Sequence, residues 1–423
     1  MLTARDLAPA LTRYAVRLHE RIGAAHHVAS PLGAWLILAL MAGAADVDEA
    51  GLTDGQLAAL ADALGLDLPS ASSAAKTLLS TRHPAVRAAV ATWLDPRVTT
   101  PAMAAFLAAL PTETGPIPAQ EAADTWAQEH TDGLITTFPI DLAAVDPFFV
   151  LANALVSRVT WVEPMRSADA HGLGPGPFAT SVRTALHALP GYGHRLQVEQ
   201  SALGPVAVHR ASAEGLTVVS VSADPEHSPA AVLDTAYRLA LRPGPSVAPR
   251  DLEPGQGHSF VVEDRNGWVT SPDGIDMSVV GVTIPAWSAT SNHDLAELGP
   301  ELGFGAVGDI VRTLLRRDAA DVAVQSAVAR FHREGFEAAA VTAYAAARVG
   351  IPPQQRPGIL RTVRLQFGHP YAVVAVASAG DAREVAGPTQ ANPWNGIPVF
   401  SAWVAEPEDA EDSEDSQKPA ASA

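Results

Sequence analysis

Fourteen histidines and no cysteine set the first limit on the chemistry this chain can perform. Without a thiol there is no thiolate nucleophile, no Cys-ligated zinc or iron–sulfur cluster and no disulfide, so stability must come from packing. The histidines are scattered. His26 and His27 read as the approach to a helix, His130, His332 and His369 are far apart in sequence, and none has the spacing of a metal site. No metal and no cofactor is expected. The chain has no Gly-x-Ser-x-Gly, no Gly-x-x-x-x-Gly-Lys-Ser/Thr and no His-Glu-x-x-His. In Gly172-Leu173-Gly174-Pro175-Gly176-Pro177 the prolines spoil a phosphate-cradling helix start, and the run reads as a turn. These residues do not point to an enzyme.

A different kind of signal lies in Arg333-Glu334-Gly335-Phe336-Glu337-Ala338-Ala339-Ala340-Val341-Thr342-Ala343. Alanine has the best helix propensity, so composition alone favours a helix. The same small side chains also suit an exposed loop or a strand buried in a tight slot, with Gly335 supplying the backbone freedom to bend. Downstream stand Pro352, Pro353 and Pro357, none of which can donate to a sheet ladder.

The elements that must position this segment read in a clear order. With 423 residues, 48% hydrophobic and 17% charged, the chain can bury a large core. A net charge of −18 and a pI near 5.1 repel nucleic-acid phosphates and anionic lipid, so neither partner is expected. Helical spacing with polar or Pro starts marks Pro31 to Gly43, Asp54 to Leu64, Ala71 to Ser80, Pro101 to Leu110 and Ala119 to His130. The apolar run Ala34 to Ala45 is too short for the roughly 20 residues of a membrane span and reads as a buried helix. Strand patterns then take over at Phe148 to Leu155, Thr217 to Ser222, Val279 to Ile284, Ala323 to Phe331, Thr362 to Phe367, Tyr371 to Ala377 and Val399 to Val404. Met165 to Gly274, rich in Gly and Pro, reads as strands and turns. Helices first and strands later give an α+β class. No polar linker divides the chain, so one domain is expected over residues 1–407, followed by a disordered acidic tail over 408–423. The start of the chain carries no signal-peptide pattern, which favours a cytoplasmic location. Lysine-poor, Ala- and Arg-rich usage suggests a bacterial genome rich in GC.

Several motifs, in order along the chain, resemble those of the serpin family. Glu334-Gly335 with the Ala run is similar to the hinge of a serpin reactive-centre loop. Ala29-Ser30-Pro31-Leu32 resembles the start of the helix beneath the main sheet, and Trp126, Thr131, Gly133 and Ile135 resemble a Trp-Thr-Gly-Ile pattern. Leu151-Ala152-Asn153-Ala154-Leu155 with Trp161 is similar to a strand motif ending in Trp, and Thr283-Ile284-Pro285-Ala286-Trp287 to an apolar-Pro-aromatic strand. His369-Pro370-Tyr371 and Pro398 to Pro407 resemble the two C-terminal strands.

The resemblance implies a single α+β domain with a large central β-sheet, two smaller sheets, an N-terminal helical region and an exposed loop. It implies a monomer that inhibits serine-type endopeptidases by loop cleavage, covalent trapping and insertion of the cut loop as a new strand, from a metastable native state. Insertion of such a loop releases strain stored in the uncut fold. An extracellular location would also suit the family. The hinge carried over is Glu334, Gly335, Phe336, Glu337, Ala338, Ala339, Ala340, Val341 and Thr342; the sheet-opening region is Ser30, Asn153 and Gln325. Family spacing from Gly335 places the reactive bond at Val349-Gly350, with Arg348 one residue earlier. Cleavage after Val349 suits an elastase-like or subtilisin-like enzyme, and cleavage after Arg348 a trypsin-like one. The chain departs from the pattern at Phe336 (usually Thr or Ser), Arg333 (usually Glu), Gln325 (usually His) and Gly33 (usually Ser). Overpacking by the Phe336 ring, at about 1–3 kcal/mol, favours a second reading: a non-inhibitory fold acting as substrate, binding or scaffold protein.

Overall fold

The computed structural model describes residues 4–47, 51–318, 322–336, 355–379 and 392–410. Helix α1 (Ala4–Ile22) leads through β1 (His27–Ala29) into α2 (Pro31–Met41). The start of α2 is set by Ser30, whose hydroxyl accepts from Gly33 N at 3.1 Å, with Pro31 in the first turn. His27 is therefore not on a helix approach: it pairs with Trp403 in the sheet. The apolar run is a buried helix, with Leu32, Trp35, Leu36, Leu38 and Leu40 all enclosed, and it tightens into a 3-10 turn over Ala42–Asp46. Helix α3 (Asp54–Leu64) begins with a capping box between Thr53 and Gln56. Helix α4 (Leu68–Ser80) starts three residues before the expected Ala71, because the Asp67 carboxylate caps Ser70 N.

Then come β2 (Arg87–Leu94), α5 (Pro101–Ala109), β3 (Glu113–Gly115), α6 (Gln120–His130), α7 (Leu142–Val145), β4 (Phe149–Val156), β5 (Val159–Thr160) and β6 (Arg166–Asp169). The middle of the chain supplies α8 (Phe178–Ser181), β7 (Thr184–Ala188), β8 (His194–Ser201), β9 (Gly204–Ala213), β10 (Leu216–Ser222), α9 (Pro229–Leu241), β11 (Gly255–Gln256), β12 (Phe260–Val269) and β13 (Ile275–Ile284). Helix α9 corrects the reading of residues 165–274 as strands and turns alone. Ser228 caps it, Pro229 opens it, and Val232, Leu233, Ala236, Tyr237 and Leu239 bury one face. The last third holds β14 (Trp287–Asp294), α10 (Phe304–Leu315), β15 (Val324–Phe331), β16 (Gly335–Phe336), β17 (Arg356–Gln366), β18 (Tyr371–Ala377) and β19 (Pro398–Val404).

The class is α+β. One six-stranded sheet runs β1-β19-β18-β10-β9-β8 and another β11-β12-β17-β13-β7-β6. Three smaller sheets are β3-β2-β4, β14-β15 and the short pair β5-β16. The main core joins α2 and α10 to these sheets, and α6 packs Ala123 and Ala127 against Trp93, Phe138, Val150 and Ala152 on the other face of β2 and β4. Among the described residues, no helix is long and apolar enough to cross a membrane.

At the C-terminus, Glu408 to Ala410, assigned to the tail by composition, are held by the fold. Glu408 N donates to Ala286 O, and the Asp409 carboxylate accepts from Arg183 N and Thr184 N at 2.7 and 2.8 Å. The rest of the tail, 411–423, lies outside the described residues.

Candidate functional site: an open slot below a hinge

Strand β4 pairs with β2 along one edge, and β15 pairs with β14. Among the described residues, no ladder joins the facing edges of β4 and β15. Between them lies a cavity of about 340 Å³, walled by Phe149, Leu151, Asn153 and Leu155 of β4 and by Val324 and Gln325 of β15. Ile37 of α2 and Phe304, Val307 and Val311 of α10 line its core side. The alternation along β4 explains why the cavity is apolar. Val150 and Ala152 are buried toward α6, whereas Phe149, Leu151 and Leu155 face the other way and are only half-buried. Half-covered apolar side chains and unpaired strand edges both favour the arrival of another strand.

Ser30, Asn153 and Gln325, singled out from sequence, meet across this opening. Gln325 brackets the Ser30 backbone, accepting from Ser30 N at 3.0 Å and donating to Ser30 O at 2.8 Å. The Ser30 hydroxyl donates to Val399 O at 2.9 Å, and the Asn153 amide donates to Gly33 O. Gly33 suits this crowding: a Cβ there would sit 3.1 Å from Ser30 Oγ and 3.3 Å from Asn153 Nδ2. Thus β4, β15 and the start of α2 are tied by neutral side chains, as buried polar groups require.

The hinge lies at the far end. His332 N donates to Gly335 O at 3.2 Å, closing a turn after β15. The chain then runs back as β16, with Gly335 opposite Thr160 and Phe336 opposite Val159. Trp161 fastens this turn: its backbone N donates to Glu334 O and its indole to His332 O, both at 3.0 Å, while Met165 N donates to Arg333 O at 2.9 Å. Arg333 pairs with Glu334 at 3.2 Å, so an ion pair forms here although the usual Glu is absent. Phe336 is only 4% exposed. In the uncut fold Phe336 belongs to the same core cluster as Trp161, Trp287 and Phe331. Glu334, Gly335 and Phe336 are the hinge residues the structure places. Glu337, Ala338, Ala339, Ala340, Val341 and Thr342, and the bond residues Arg348, Val349 and Gly350, lie outside the described residues.

Sequence reading missed the histidines around this hinge. His194 Nδ1 and His209 Nε2 are 3.0 Å apart, His194 Nε2 donates to Glu163 O, and the His209 ring lies 6.5 Å from Phe331. No spacing signal marks them, since they come from two strands of a hairpin. Burial lowers the His332 pKa to about 4, with Arg330 adding to the shift. Burial also lowers His27 to about 4, helped by His293 and His26 and opposed by its bond to Ala25 O. Such imidazoles are neutral in the fold, so below pH ~6.5 the unfolded chain takes up protons that the folded chain does not. Stability is expected to be full above about pH 6.5 and to fall as pH drops toward 4, by roughly 2–3 kcal/mol per group. Thermal midpoints measured across this range check it; a flat profile contradicts neutral buried imidazoles.

No family model matches the sequence, and no curated protein matches it. Solved structures match over nearly the whole chain. Serpin48, described as a highly specific serpin of the insect Tenebrio molitor, superposes with a TM-score of 0.57 at 14% identity, covering 96% of this chain and 99% of that one. Thyroxine-binding globulin in complex with thyroxine gives a TM-score of 0.62 at 13% identity over 95% and 99%. Human glycosylated kallistatin gives 0.59 at 14% over 96% and 98%. The chain has the serpin fold, and at this identity the likeness is one of fold.

Proposed function

We propose that this chain inhibits serine-type endopeptidases by offering a loop for cleavage and inserting the cut loop into the slot. The observation that carries this reading is the open slot, with the hinge residues Gly335 and Phe336 already paired at its end. The protease serine attacks the carbonyl at Arg348 or Val349, forming an ester to the N-terminal part and releasing a new amine. Downward growth of β16 between β4 and β15 then carries the ester-linked enzyme away from the loop's starting position. Ser30, Asn153 and Gln325 serve as the contacts that hold the sheet until it opens.

The test is incubation with trypsin, elastase and subtilisin in turn, followed by a denaturing gel. An SDS-stable adduct of summed mass is expected, with a released fragment beginning at Val349 for a trypsin-like target or at Gly350 for an elastase-like one. Clean cleavage without an adduct by every enzyme overturns the reading. That result favours the second one, a substrate, binding or scaffold protein, for which the bulky Phe336 at the hinge already speaks.

A further inference from the structure

Of the eight tryptophans in the chain, Trp268 is the exposed one. It lies near the end of β12 and is 64% open to solvent, although an indole is among the side chains with most to gain from burial. Its surroundings are firm. Strand β17 is paired along both edges, with β12 over residues 356–365 and with β13 over 359–366, whereas β7 reaches β13 only at 282–284. Beyond β7 the sheet therefore continues as a three-stranded tongue. Its tip is closed by the Asp276 carboxylate, which accepts from Thr270 N and Ser271 N at 2.8 and 2.9 Å, and by Ile359 N, which donates to Gly274 O at 2.9 Å. Gly358 lets these backbones meet, since a Cβ there would collide with Gly274 O and the Val269 side chain.

The two registers gather apolar residues on one face of the tongue. Trp268 lies opposite Pro357 and Ile275 beside Ile359, with Met277 one step further on the same face. Among the described residues, Trp268, Ile275, Met277 and Ile359 belong to no core cluster. The patch ends at Arg361, which pairs with Asp264 at 2.7 Å and donates to Arg250 O and Leu252 O, both at 3.4 Å. An open apolar patch with a charged border is the mark of an interaction surface. We propose that this face docks the rim of the target endopeptidase, with Trp268 as its anchor. The inference rests on the inhibitory reading and deepens it. Chain connectivity says which partner covers the face: Pro357 stands seven residues after Gly350, a reach of at most about 25 Å whatever path the chain takes. A folded enzyme of about 200 residues has a radius of gyration near 16 Å and spans about 40 Å. Closed on the bond after Arg348 or Val349, such an enzyme overhangs the tongue.

The test uses the full chain and whichever of trypsin, elastase and subtilisin forms the adduct, in a form whose nucleophilic serine is replaced by alanine, so that docking is read without cleavage. Trp268→Ala is expected to weaken this complex at least about tenfold and to slow adduct formation by the active enzyme by the same factor, and Trp268→Phe to restore most of both. Because the side chain is exposed, both variants are expected to melt within about 1 °C of the parent. If Trp268→Ala binds and traps as the parent does, the docking surface falls while the inhibitory reading stands. A dimer of the parent in sedimentation that Trp268→Ala dissolves also overturns the proposal, since the face then belongs to a second copy. If the parent forms no adduct with any of the three enzymes, the inference and the inhibitory reading fail together.

Discussion

Proteolysis of the intact chain between Ala343 and Ile351 is expected to raise its thermal midpoint by about 5–10 °C. Nicking a loop normally leaves stability unchanged or lowers it. Here the released strand gains ladder bonds on two edges, each contributing about 0.5–1.5 kcal/mol net. It also covers Phe149, Leu151 and Leu155, which the uncut fold leaves half-buried. Against this stands the ordering of about ten residues at roughly 1–2 kcal/mol each. The balance is a gain on the order of 5–10 kcal/mol, and a chain of this size moves by about 1 °C per kcal/mol. Calorimetry before and after limited proteolysis reads the shift directly. A nicked product melting at or below the intact chain means that the slot does not accept the loop.

The second large effect is a loss. Ala340→Glu is expected to leave the intact protein and its cleavage site unchanged, yet abolish both the adduct and the gain in melting temperature. If β16 grows on in the pairing that sets Phe336 against Val159, Ala340 comes opposite Leu155 on the apolar slot wall, where a carboxylate would have no partner. An uncompensated buried charge costs about 3–5 kcal/mol, comparable with the whole gain from insertion. Titrating a fixed amount of protease shows the change: even at an about tenfold excess the variant leaves the protease active, because it is turned over as substrate. An unaltered stoichiometry for Ala340→Glu would sink the core-facing register.

Local punctuation made much of the fold legible. Ser30-Pro31, Thr53 and Thr100-Pro101 each place a side-chain acceptor before a helical run, and all three cap helices in the structure. The extents Asp54–Leu64 and Tyr371–Ala377 coincide with the expected ones. Helix α9 carried the same signal in Ser228-Pro229, obscured by the Gly and Pro around it. Strand β12 reads FVVEDRNGWV, with charges where a strand pattern wants apolar residues. Its identity comes from partners distant in sequence, such as the Asp264 pair with Arg361 at 2.7 Å. The candidate site divides in the same way. Ser30, Asn153 and Gln325 were found by motif and do converge. Phe336 is buried in the same core cluster as Trp161, Trp287 and Phe331, a setting that its neighbours in sequence do not show. The role of Trp161 as a clamp on the turn was equally invisible, since it works through main-chain oxygens of residues 332 and 334.

The two paired residues of β16 bear on kinetics as well as on stability. Starting a ladder is the slow part of adding a strand, because the chain must be closed into place before any bond repays its lost freedom. With Gly335 and Phe336 seated against Thr160 and Val159, the seed exists before any protease arrives. What remains is elongation. In the uncut chain that elongation is tethered, since residue 356 opens β17 in a different sheet and limits how far the intervening chain can be drawn down. On the inhibitory reading, scission removes the tether and leaves a growing end with its nucleus in place, so the rate of trapping is set by extension of β16 into the slot and not by a search for it.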